Sequence, residues 1–166
     1  RSIQLKHYDF EEDFDADGNL VVDEFIPPVY PKDYATKEFL QMQLSNNILF
    51  QELTLSADLM KVFVEAMAMQ KVSANEVLME QGDDGDYLYI LQNGELRVDI
   101  DGKTVGMLQF GIIGELALLN DAPRTATVTA TVLSTLWKID QETFRRIMIS
   151  VTTNIDRSTD KTLREV

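Results

Sequence analysis

Beyond Gln70 the chain loses helical spacing and breaks into short apolar segments at 77–79, 87–91, 96–100, 105–108, 125–130 and 135–139. Turn formers separate them: Gly82-Asp83-Asp84-Gly85, Asn93-Gly94 and Asp101-Gly102. Segments this short cannot make the three turns of an ordinary helix, but they suit strands. Asn-Gly and Asp-Gly supply the positive-φ residues that two-residue hairpins need. The spacing therefore predicts a small antiparallel β-barrel, jelly-roll-like, in which each strand hides one face.

Helical patterning lies on either side. Phe39, Leu40, Leu44, Ile48 and Leu49 repeat at helical spacing, with a break at Asn46-Asn47. After Ser56, a good N-cap, come Leu59, Val62, Phe63, Ala66 and Met67. Asp140 precedes Phe144, Ile147 and Met148, the apolar face of a last helix. The fold class is mostly β with flanking helices. We divide the chain into an acidic N-terminal arm and proline-rich linker (1–33), one domain (34–151) and a helical extension (152–166). Pro27, Pro28 and Pro31 mark the linker as stiff and extended.

Composition removes several function classes. The net charge of −13 repels a phosphate backbone, so nucleic acid is not an expected partner. No apolar run approaches the ~20 residues of a membrane span, so no membrane partner is expected. The chain has no cysteine, which excludes a thiol nucleophile and suits a reducing cytoplasm. Its single histidine, His7, lies in the polar arm, away from any partner for acid–base work. No positioned set of catalytic groups appears, and the reading is a binding module, not an enzyme. The chain opens at Arg1 with neither methionine nor a signal-like segment, as expected of a fragment of a longer protein.

The most informative stretch runs from Gly111 to Val128. Gly111 and Gly114 let backbone approach a ligand closely. The successive N–H groups of Glu115, Leu116 and Ala117 can turn towards an anion. Arg124 offers a planar fork of donors to phosphate oxygens. Ionised Glu115 only accepts hydrogen bonds, so hydroxyl groups are its natural partner. The set suits a small anionic ligand that also carries hydroxyls.

Ile113-Gly114-Glu115-Leu116-Ala117 and Arg124-Thr125-Ala126-Thr127-Val128 resemble the phosphate-binding cassette of the cyclic nucleotide-binding domain family. Ile113 stands where the family usually has Phe. The resemblance implies cAMP or cGMP as ligand, with Glu115 on the ribose 2′-hydroxyl and Arg124 on the cyclic phosphate. It also implies phosphate bonds from the amides of Ala117 and Ala126. Gly82 lies in a segment similar to the family's glycine-rich loop, and there Asp86 would hold the Arg124 side chain in place. The segment 135–147, with Trp137 and Arg145-Arg146, resembles the regulatory parts of cAMP- and cGMP-dependent protein kinases. That implies a protein kinase catalytic domain or subunit as partner, controlled by ligand-driven helix movement. Thr125 stands where the cGMP-dependent kinases typically carry Thr and the cAMP-dependent regulators Ala, which tilts the expectation towards cGMP. A relative that binds another nucleoside is the alternative.

One further motif competes with these. Residues 13–24 match an EF-hand calcium loop, with Asp13, Asp15, Asp17 and Asn19 at the first, third, fifth and seventh positions and Glu24 at the twelfth. Gly18 takes the sixth. Pro27 and Pro28 deny the loop its exit helix. The second reading of the chain is thus a calcium-binding interaction module.

Overall fold

Asn47 breaks the first helical region, as its short side chain predicts. The α1 helix (Tyr34–Ser45) is capped by Asp33, whose carboxylate accepts from the Thr36 N–H at 2.7 Å. The Asn47 amide oxygen then caps α2 (Ile48–Glu52) through the Leu49 N–H at 3.0 Å. Ser56 Oγ accepts from the Leu59 N–H at 3.2 Å and starts α3 (Ala57–Ala66). Residues 141–150 form the C-terminal helix, opened by the Asp140 carboxylate bonded to the Thr143 N–H. These caps satisfy amides that a helix start otherwise leaves orphaned, each worth about 1 kcal/mol. The computed structural model describes residues 15–19 and 25–150.

Among the described residues eight strands follow α3: β1 (Ala68–Val72), β2 (Val77–Met79), β3 (Tyr87–Asn93), β4 (Leu96–Ile100), β5 (Lys103–Leu108), β6 (Gly111–Ile113), β7 (Thr127–Ala130) and β8 (Ser134–Asp140). They form two antiparallel four-stranded sheets, in the orders β1-β8-β3-β6 and β2-β7-β4-β5. The expected small barrel is realised as this jelly-roll-like pair of sheets. β1 and β6 are strands that the apolar segments did not reveal.

The two hairpin signals have different outcomes. Asp101-Gly102 joins β4 to β5 with φ of 52° and 77°, the mirror-image turn that matches strand twist. Asn93-Gly94 makes no hairpin, because β3 pairs with β6 and β8 while β4 pairs with β5 and β7. It is a corner where the chain changes sheets. Gly94 has φ 115°, and a Cβ there would overlap the Ser134 hydroxyl. A crowded corner needs glycine for the same reason a tight turn does, so the local signal was ambiguous.

The first sheet is buried on both faces. Leu88 and Ile90 of β3, with Trp137 and Ile139 of β8, pack against the helices. Tyr89, Leu91 and Leu136 face the sandwich interior with Val72, Leu96, Val128 and Ala130. The helix side is anchored by Phe144, stacked on Phe63 with centroids 4.9 Å apart and edge-on to Phe50 at 6.0 Å. Burying each of these rings contributes about 1.5–3 kcal/mol. Trp137 Nε1 donates to Gln92 Oε1 at 2.8 Å, which satisfies the indole inside this layer.

The end of the proline-rich linker is docked, not free. The Tyr30 N–H donates to the Glu65 carbonyl at 2.9 Å, closing the end of α3. Lys32 Nζ donates to the carbonyls of Tyr30 (2.7 Å) and Glu65 (3.2 Å) and lies 5.0 Å from the Trp137 ring. Burial, chiefly, holds the Lys32 ammonium below its ordinary pKa. Phe25 packs against the helix core, with the Arg146 guanidinium 5.6 Å from its ring.

Candidate functional site

Arg124 is fixed first by its backbone. Its N–H donates to the Asp83 carbonyl and its own carbonyl accepts from the Gly82 N–H, both at 2.8 Å. Asp84 and Pro123 form an isolated bridge alongside. The loop is held in turn by Gln81, whose N–H donates to Thr127 Oγ1 at 2.9 Å. The Gln81 amide exchanges two hydrogen bonds with Asp101, at 2.8 and 2.9 Å. Gly82 meets Arg124 through its main chain.

The Arg124 side chain turns inward and is only 8% exposed. Nη2 donates to the Tyr87 carbonyl at 2.8 Å, and the guanidinium lies 5.9 Å from the Tyr89 ring centre. Nε is buried without a partner. Among the described residues no carboxylate comes within 4.0 Å of the guanidinium. The expectation that Asp86 holds Arg124 is therefore corrected. Asp86 is exposed and bonds through its carbonyl to the Gln141 N–H at 2.7 Å. The Tyr87 carbonyl takes its place. A buried cation without a counter-charge costs several kcal/mol, so a site of this kind favours an incoming anion.

Gly114 brings a short 3₁₀ helix, Glu115–Leu118, against this cation. Its φ of 77° is left-handed, and a Cβ there would overlap Arg124 Nη1. Glu115 is half-buried, Leu116 is 56% exposed, and Ala117 and Leu118 are buried. The Ala117 N–H donates to the Gly114 carbonyl at 3.0 Å. The amide expected to meet phosphate is therefore used within the 3₁₀ turn. Thr125 is exposed and Ala126 half-buried, just ahead of β7. Gly111 begins β6 opposite Leu91.

The structure thus brings Gly82, Gly114 and Arg124 into contact and adds Tyr87 and Tyr89, which the sequence reading did not single out. Burial, first of all, raises the Tyr89 phenol above its ordinary pKa of 10.0, while the Arg124 charge opposes the rise.

The acidic loop is only partly described. Asp15 Oδ1 accepts from the N–H groups of Asp17 and Asn19, both at 2.9 Å, and Oδ2 from the Asn19 amide at 3.3 Å. These bonds, with that from the Asn19 backbone first, hold the Asp15 carboxyl below its ordinary pKa. Asp13 and Glu24, which would begin and complete a calcium set, lie outside the described residues. Among the described residues no helix is long and apolar enough to cross a membrane.

A family model, the cyclic nucleotide-binding domain, matches residues 69–150, which include every strand after the first residue of β1 and the whole Arg124 site. Through these residues the chain belongs to the cyclic nucleotide-binding domain family. Relatives in this family include the cAMP-dependent protein kinase regulatory subunit of Blastocladiella emersonii. That protein is 40% identical over 147 residues, covering 85% of this chain and 36% of the relative. Among solved structures, the regulatory domain of Toxoplasma gondii PKA with cAMP has 40% identity and a TM-score of 0.62. The likeness covers 72% of this chain and 47% of that one. The regulatory subunit of a cAMP-independent protein kinase A from Trypanosoma brucei has 26% identity and a TM-score of 0.64, covering 75% and 45%. This chain spans about a third of the length of the curated relatives it matches.

Proposed function

We propose that the domain, over residues 34–151, is a regulatory module that binds a cyclic nucleotide and has no catalysis of its own. The observation that carries this is Arg124: a guanidinium nine-tenths buried, with an unpartnered Nε and no carboxylate at hand, set against the Gly114 turn. Arg124 takes the cyclic phosphate. Glu115 takes the ribose 2′-hydroxyl, and the backbone at Gly114, Leu116, Ala117, Thr125 and Ala126 closes around the phosphate. Gly82 supports Arg124 from behind. The names of the relatives favour cAMP; cGMP enters only through the Thr125 hydroxyl.

The same names support a protein kinase catalytic chain as the partner, and the lack of cysteine suits a reducing cytoplasm as the place where they meet. Leu118 packs in the same core as Phe144 and Ile147, so a shift of the 3₁₀ helix would be felt by the C-terminal helix. A ligand that prefers one arrangement of that core over another would shift the balance between them.

The test is thermal shift with cAMP, cGMP, inosine and adenosine. A ligand that binds only the folded state stabilises it by RT ln(1 + L/Kd), where L is the free ligand concentration, so Tm climbs as that concentration passes Kd. Stabilisation by cyclic nucleotides at micromolar concentration supports the proposal. Stabilisation by the nucleosides alone would move the reading to a nucleoside sensor.

A further inference from the structure

Gly82 and Gly114 have φ of 86° and 77°, whereas the φ of Gly85 lies outside the left-handed region. Its lack of a side chain is thus a matter of space. A Cβ on Gly85 would overlap Arg124 Nε and Cζ and lie 2.7 Å from Nη2. A Cβ on Gly114 would overlap Nη1 and come within 2.9 Å of the Tyr87 carbonyl oxygen. Two glycines from different loops therefore clear the volume that the guanidinium fills.

We infer that Gly85 is a positioning residue for Arg124: its missing Cβ is the slot in which the guanidinium lies, and any side chain there pushes the cation off its anion-binding position. The inference rests on the reading of Arg124 as the phosphate ligand. Gly85 makes none of the bonds that hold the loop. Those run from Gly82 to the Arg124 carbonyl and from Arg124 to the Asp83 carbonyl, and a methyl group on residue 85 leaves them intact. Gly114 is the poorer probe, because alanine there also strains the backbone and meets the Tyr87 carbonyl.

Gly85→Ala separates a slot from an ordinary loop glycine by the sign of its effect on Tm. At a compatible φ, alanine for glycine is mildly stabilising because it restricts the unfolded chain. With Arg124 present, the methyl group displaces the guanidinium from the Tyr87 carbonyl and the Tyr89 ring, and the loss of those contacts should reverse this. Gly85→Ala should then lower Tm and weaken cAMP binding at least about tenfold, the loss of one charge-assisted contact. In the Arg124→Ala background, Gly85→Ala should leave Tm unchanged or raise it, and cost no further affinity. Circular dichroism melts and calorimetry on the four proteins read both effects. Wild-type affinity in Gly85→Ala, or an equal fall in Tm in both backgrounds, would overturn the inference. If the wild-type chain binds no cyclic nucleotide, the ligand assignment fails, and the melts alone still decide whether Gly85 makes room for Arg124.

Discussion

Arg124 Nη2 and the main-chain carbonyl of Tyr87 are joined by a hydrogen bond of 2.8 Å across 37 residues of sequence. The acceptor is neutral. A carboxylate in the same place would neutralise the guanidinium and compete with an incoming phosphate. A carbonyl orients the fork and leaves the charge uncompensated.

Replacing Arg124 with alanine should weaken cyclic nucleotide binding on the order of tenfold to several hundredfold, the equivalent of a charge-assisted bond of ~1.5–3 kcal/mol and more. Circular dichroism should show the fold retained, since the two sheets and their register do not depend on the guanidinium. Calorimetry on the variant checks it, and wild-type affinity would remove Arg124 from the site.

Glu115→Gln should cost less than Arg124→Ala, because the amide keeps one acceptor and loses only the charge. A 2′-deoxy cyclic nucleotide should bind the variant almost as well as the parent ligand does. The two changes remove the same contact, so their penalties should not add. Full additivity in that cycle would place the 2′-hydroxyl elsewhere.

Thr125 is exposed, so Thr125→Ala should leave stability within about 0.5 kcal/mol. Its effect should fall on ligand choice, with cGMP losing more than cAMP. A neutral hydrogen bond of ~0.5–1.5 kcal/mol allows a difference of a few-fold to about tenfold. Competition titrations with both nucleotides decide it, and equal losses would assign Thr125 to the phosphate or the fold.

Tyr89 gives a prediction in the alkaline range. Its folded phenol holds its proton above the ordinary value of 10.0, so its share of stability is complete below that pH. That share is lost as pH climbs through the folded-state value. Because the Arg124 charge lowers this value, Arg124→Ala should move the Tyr89 ionisation further up. Ultraviolet titration of both proteins, each compared with its Tyr89→Phe counterpart, measures the shift. An unmoved titration would mean that the ring does not sense the guanidinium, and a downward move that the burial Arg124 supplies outweighs its charge.

Much of this was legible because the signals were local. The breaks at Asn47, Ser56 and Asp140 depend on side chains that bond within three residues, and each cap stands where its residue type suggested. The Asp101-Gly102 hairpin has the same character. Asn93-Gly94 misled because its partner in space is Ser134, forty residues on, and local propensity carries no word of it. β6 escaped because three residues opened by a glycine show no alternation. In the site, Arg124 and Gly114 were visible as residue types. The Tyr87 carbonyl was not, since every residue has one and only the fold selects which is used. Asp86 was the partner that the family resemblance implied, and a backbone carbonyl took the arginine instead. The Ala117 amide likewise met a neighbour, the Gly114 carbonyl, that no spacing rule forbids.

β3 is a party wall. Leu88 and Ile90 belong to the room occupied by the helices, while Tyr89, on the other side of the same backbone, floors the room that holds Arg124. Because side chains alternate, the strand cannot slide by a single residue without exchanging the furnishings of both rooms. The partition between the Arg124 room and the helices is one peptide thick, so a displacement of Tyr89 on one side is a displacement of Leu88 and Ile90 on the other.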